Sequence, residues 1–206
     1  MVVNSFLPII LFPILGILNG KAIAAAYIND VIFLFIGGFL MALAMEKWNL
    51  HKRIALKVLS IVGGSPFMIL FGFMLSSAFL SMWMSNTATM MMLPIAFSVS
   101  NALEEVHGES KIKNYLVGLL LSIAYSCSIS GISTLVGTPP NLSFLRIFSI
   151  LYPKSPSISF GQWITFASPI TVVMFTFTLF LIYFIYKPKR KIKKLDKSFF
   201  DDRYIK

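Results

Sequence analysis

Two short runs in this 206-residue chain carry residues able to hold ions without a charged side chain. The first, Ser85-Asn86-Thr87, stands inside FLSMWMSNTATMMMLPIA, Phe79 to Ala96. It lies within 46 residues, Val58 to Leu103, that contain no Asp, Glu, Lys, Arg or His. Ser, Asn and Thr are good N-cap residues because their side-chain oxygens accept from first-turn N–H groups. If one helix ends just before them and another starts just after, the carbonyls of the first are hard oxygen ligands suited to Na+. The N–H groups and positive dipole end of the second suit an anion. The second run is GISTLVGTPPNL, Gly131 to Leu142. Pro139 and Pro140 remove two backbone donors and exclude continuous helix, Gly137 tolerates unusual dihedrals, and Thr138 and Asn141 add side-chain oxygens. Either run alone reads equally well as polar residues packing helices or as an external loop. Together, in the two least charged stretches of the chain, they point to a binding site in a discontinuous helix. Neither contains Lys, Arg or His, so a bound anion must be balanced by co-bound cations and helix dipoles, which ties anion binding to Na+ binding.

The elements that position these runs belong to a membrane. Hydrophobic residues make up 57% of the chain and charged ones 13%, against about 45–50% and about 25% in soluble domains. Mean hydropathy is +0.81. A span needs roughly 20 helical residues for a core of about 30 Å. On that measure residues 1–186 form a membrane domain with spans at about 2–18, 31–48 and 160–186, and a broken span at about 114–150. Residues 187–206 form a basic tail or linker. Between the second and third apolar stretches, Lys47, Lys52, Arg53 and Lys57 interleave with Leu50, Ile54, Ala55, Val58 and Leu59. That spacing fits an amphipathic helix at about 47–62 lying in the interface, with Trp48 as anchor, and fits a basic loop equally.

Charge distribution bears on the stretch at about 66–100. If it enters and returns on one side, fifteen of the eighteen Lys and Arg residues share a face, as cytoplasmic loops require. A single crossing would leave twelve. Its 35 residues are short of the roughly 40 that two complete spans need, so a re-entrant helical hairpin is expected, with its tip near mid-membrane and buried against protein or water. The expected fold class is an all-α polytopic membrane protein.

FLSMWMSNTATMMMLPIA, GTPPNL and NDVIFLFIGGFLMALAMEKWNLHKRIAL resemble the divalent anion/sodium symporters, carriers of dicarboxylates, tricarboxylates or sulfate, over nearly the whole chain. The resemblance implies a homodimer built from two inverted repeats, each with a Ser-Asn-Thr hairpin and a broken helix. It implies a sodium site at Ser81, Ser85 and Asn86 with a carbonyl at Gly137. It implies substrate contacts at Asn86 and Thr87, with Thr138 and Pro139 lining the same cavity, and a structural role for Asn141. One Ser-Asn-Thr occurs here, so the chain is expected to be the first repeat only, truncated or split, with a second-repeat chain needed for transport.

The expected function is sodium-coupled secondary transport of a di- or tricarboxylate or sulfate across the plasma (inner) membrane, with the basic tail cytoplasmic. The alternative is a non-transporting membrane fragment or scaffold subunit. Na+ is the coupling ion and no cofactor is expected. His51 and His107 lie in polar connections, no HExxH motif or paired intramembrane carboxylates occur, and Cys127 is the lone cysteine. An enzyme is therefore disfavoured. The basic tail, holding nine of the eighteen cationic residues, suits anionic lipid better than nucleic acid.

Overall fold

The computed structural model describes residues 2–28, 30–62, 65–84, 89, 92–107 and 109–188. These are helical: α1 Val2–Ile14, α2 Gly20–Tyr27, α3 Asp30–Lys47, α4 Leu50–Val62, α5 Pro66–Ser81, α6 Leu93–His107, α7 Glu109–Gly131, α8 Pro139–Leu151 and α9 Phe160–Tyr186. No strand occurs among the described residues. Two helical stretches, Lys113–Gly131 and Phe160–Tyr186, are long and apolar enough to cross a membrane, or three if Gly20–Tyr27 and Ile32–Lys47 act as one span. The chain is an all-α polytopic membrane protein.

It divides into two compact units, Met1–Gly37 and Gly38–Lys206. In the first, α1 carries Pro8 and Pro13 and is followed by Gly16 at φ 68°. Asn19 caps α2 by accepting from the Ala22 N–H at 2.7 Å. The α2 helix is absent from the hydropathy reading, because eight residues rich in alanine are too short to register as a span. Phe6 and Tyr27 stack at 6.4 Å.

The second unit is organised around α5 and α7. Ser65 caps α5 and Pro66 occupies its first turn, where a missing N–H costs nothing. Ten residues of α5, from Ile69 to Ser81, are buried. The buried face of α7 follows Tyr115, Leu119, Ser122, Ser126 and Ser130, a stripe at helical spacing weighted toward small residues, which lets backbones approach closely. Three hydrogen bonds tie the pair. Tyr115 Oη donates to the Pro66 carbonyl at 2.7 Å, Ser126 Oγ to that of Met74, and Ser81 Oγ to that of Cys127 at 2.7 Å. Residue number rises along both helices together, so α5 and α7 run parallel and end at the same level, at Ser81 and Gly131. In lipid, where burial of apolar surface drives little association, such bonds contribute about 0.6 kcal/mol each on average.

The α4 helix lays His51, Ala55 and Leu59 inward and leaves Lys52, Arg53 and Lys57 exposed. Leu59 fits against Gly72 of α5, where an added Cβ would come within 2.9 Å. His51 is therefore a buried helix residue rather than part of a polar connection. The α6 and α7 helices extend past the apolar stretches to His107 and back to Glu109, since Glu and Lys are good helix formers and need no hydrophobic window. The α9 helix opens with a capping box between Ser159 and Gln162. It turns Phe166, Val173, Phe177 and Phe184 outward, each at least 66% exposed; in a chain of this composition such a face meets lipid.

Candidate functional site

The parallel pair brings the ends of α5 and α7 together, and the turn that follows α7 closes over both. From Ile132 to Thr138 the chain leaves the helix, and α8 restarts at Pro139. The two prolines lack the N–H groups that would otherwise propagate helix. Gly137 sits at the centre of this turn. A Cβ there would lie 2.6 Å from the Gly131 carbonyl oxygen and 2.8 Å from the Ser81 carbonyl oxygen. The only positive-φ glycine among the described residues is Gly16, so glycine is required at 137 by space rather than by an unusual dihedral.

Asn141 holds the break from inside. It is 8% exposed, and its Nδ2 donates to the carbonyls of Thr134 at 2.7 Å and Gly131 at 3.0 Å. A longer contact of 3.5 Å reaches the Ile132 carbonyl. These are carbonyls that a helix end leaves without intrahelical donors. Trp163 Nε1 of α9 also donates to the Ile132 carbonyl, at 3.0 Å. Gly38 of α3 packs against Val136, whose side chain takes the space a Cβ would need, whereas Gly37 has open space.

The residues expected to bind fall unevenly. Ser81 is buried at the end of α5 with its carbonyl oxygen against Gly137. Thr138 is the N-cap of α8 with its side chain making no capping bond, and Pro139 is the exposed first residue of that helix. Ser85, Asn86 and Thr87 lie outside the described residues. The residues flanking them are described: Met84 and Thr89 are each 1% exposed, and the Thr89 side chain hydrogen-bonds the Cys127 thiol on α7. Chemically, the site offers carbonyl and hydroxyl oxygens from two helix ends in a region where no group of three or more His, Cys, Asp or Glu gathers among the described residues. Such oxygens suit a hard, weakly charged cation.

Thr134 escapes the sequence reading. It is 1% exposed; its Oγ1 donates to the Met82 carbonyl and accepts from the Gly137 N–H at 3.0 Å. It stands within GISTLVGTPPNL, but its partner on α5 is 52 residues away, a pairing that local pattern does not carry.

The chain matches the citrate transporter family, CitMHS, over residues 1–202. It is 36% identical over 220 residues to the sodium-dependent dicarboxylate transporter SdcS of Staphylococcus saprophyticus, an alignment covering 98% of this chain and 42% of that protein. It is likewise 36% identical over 222 residues to the protein of that name from Staphylococcus aureus, again with 98% and 42% covered. The chain thus spans less than half the length of these relatives.

Proposed function

We propose, since this chain belongs to the citrate transporter family of divalent anion/sodium symporters, that it supplies one repeat of a sodium-coupled carrier of di- or tricarboxylates. The family is one of transporters, not enzymes. The observation that carries the reading is the convergence of the Ser81 and Gly131 carbonyls on Gly137, at the ends of two parallel helices. The α5 helix has sixteen residues and rises about 24 Å at 1.5 Å per residue, less than the roughly 30 Å of a bilayer core. That length supports a re-entrant hairpin over about 66–100 whose tip stays inside the membrane. The α7 and α8 helices then act as one crossing interrupted at the same level.

On this reading Na+ is held by Ser81, Ser85, Asn86 and the carbonyl of Gly137. The anion sits beside it against Asn86 and Thr87, with Thr138 and Pro139 lining the cavity and Asn141 keeping the break open. No cationic side chain lies in either run, so the carboxylate is held only while sodium is present, and coupling follows. The names of the relatives favour carboxylate over sulfate. The other half of the substrate site comes from a second Ser-Asn-Thr hairpin supplied by a further repeat or chain, and two such assemblies form the homodimer. The protein lies in the plasma membrane with Lys187–Lys206 on the cytoplasmic side.

The test is sodium-dependent succinate uptake with this repeat inside an intact two-repeat carrier, comparing native protein with Asn86→Ala. Loss of at least about tenfold in uptake, roughly 1.4 kcal/mol, is expected. Undiminished uptake refutes the site and favours a scaffold role for the polar runs.

A further inference from the structure

We propose that Thr134 is the positioning residue that sets the separation of the two halves of the sodium site. The proposal rests on the sodium reading above but concerns a residue that binds neither ion. The described oxygens of that site come from different elements: Ser81 from the end of α5, and the Gly137 carbonyl from the break after α7. Three bonds join α5 to α7 along their length, and a further side chain bridges the residue after α5 and the turn itself. That side chain is Thr134. A hydroxyl has one hydrogen and two lone pairs. Here the hydrogen goes to the Met82 carbonyl and a lone pair takes the Gly137 N–H at 3.0 Å. Both partners matter to the site. Met82 is the C-cap of α5, one residue past Ser81. Gly137 is the position at which the carbonyls of Ser81 and Gly131 meet.

Thr134 is also fixed from its other side, because its own carbonyl accepts from Asn141 Nδ2 at 2.7 Å. Its backbone is thereby tied to the first turn of α8 while its side chain is tied to α5. A residue held at both ends transmits distance. If the hydroxyl is lost, the buried Gly137 N–H and the part-buried Met82 carbonyl are left without this partner, and the local backbone rearranges to find others. The first casualty is the register between the Ser81 oxygen and the turn. Sodium affinity then falls because the ligands must be gathered when the ion binds instead of beforehand.

The experiment is equilibrium binding of radioactive sodium, titrated onto the purified chain in lipid nanodiscs, with the native tryptophans kept because Trp163 itself bonds the Ile132 carbonyl of the turn. Thr134→Val keeps the shape and removes the hydroxyl; Thr134→Ser keeps the hydroxyl. The expected result is a sodium midpoint raised about tenfold or more in Thr134→Val, equivalent to about 1.4 kcal/mol, and within about threefold of native in Thr134→Ser. A lowered melting temperature with an unchanged sodium midpoint overturns the proposal, since that is what a purely structural hydroxyl would produce. So does failure of Thr134→Ser to restore the midpoint. A native chain that shows no sodium response refutes the sodium reading and this proposal with it. Should Thr134→Val fail to fold, hydrogen exchange in the native chain without sodium decides. A Gly137 amide protected as well as those of α7 supports the proposal, and one exchanging at the rate of an open loop overturns it.

Discussion

Gly137→Ala tests the site at its tightest point. The new Cβ would stand 2.6 Å from the Gly131 oxygen and 2.8 Å from the Ser81 oxygen, and an ordinary contact begins at 3.4 Å. Neither oxygen belongs to a flexible side chain. The Gly131 carbonyl is held by Asn141 Nδ2 at 3.0 Å, and the Ser81 backbone is anchored through its own hydroxyl to Cys127. Retreat of both by several tenths of an ångström therefore strains two hydrogen-bonded helix ends. Overpacking of a well-filled site costs about 1–3 kcal/mol, and the rigidity here argues for at least the middle of that range. The retreat opens the oxygen set that sodium would use, and the ion must pay to draw it together again. If about 2 kcal/mol falls on the bound state, affinity drops about 30-fold. Equilibrium binding of radioactive sodium to the chain in nanodiscs measures this directly. Gly161→Ala is the control, because a Cβ there meets nothing within 4 Å, and it is expected to bind sodium like native protein. A folded Gly137→Ala protein with native sodium affinity would overturn the assignment, since Ser81 and the Gly137 carbonyl would then not be among the ligands.

Two further outcomes follow from buried polar atoms. Thr171 on α9 is 8% exposed, borders a cavity of about 190 Å³ with Ser130, Ser133 and Ser168, and its Oγ1 has no hydrogen-bond partner among the described residues. Thr171→Val should therefore be neutral or raise the melting temperature by the equivalent of about 1 kcal/mol, whereas the same change at Thr134 should lower it. His51 is buried on α4 with Nδ1 likewise unpartnered; burial and then the Lys52 charge lower its pKa below 6.5, against the raising effects of Glu46 and the Met45 backbone. The unfolded chain thus takes up the proton first as pH falls, so the contribution of His51 to stability is present above pH 6.5 and is lost below it, toward the lowered folded value. Melting curves at pH 7.5 and 5.5 should show this decline in native protein and a flatter response in His51→Gln.

The membrane class was legible because it depends on quantities that add along the chain, namely apolar content and the absence of charge from Val58 to Leu103. The break after α7 was legible because Pro139 and Pro140 are local prohibitions, independent of fold. Helix ends were read less well wherever a helix outran its apolar stretch, as α6 does through Glu104 to His107. What sequence pattern could not carry was pairing between distant residues. Thr134 with Met82, Ser126 with Met74 and Tyr115 with Pro66 each join positions about fifty apart, and any of those hydroxyls could equally have bonded its own helix, as Ser122 does with Leu119. Gly137 shows the same limit from the other direction. A glycine beside two prolines suggests a turn needing unusual dihedrals, yet its reason is the proximity of a helix end 56 residues earlier in the chain.

The parallel course of α5 and α7 has a consequence for proton competition. Each helix places roughly half a negative elementary charge at its C-terminal end, and here two such ends meet. Together they amount to about one fixed negative charge inside a stretch without a carboxylate. Peptide dipoles do not titrate. A cation held there is balanced by a charge that acid cannot neutralise, so hydronium gains no purchase where an aspartate would have offered it a bond. On the sodium reading proposed above, the ion would be distinguished from a proton because these two ends leave the proton nothing to protonate.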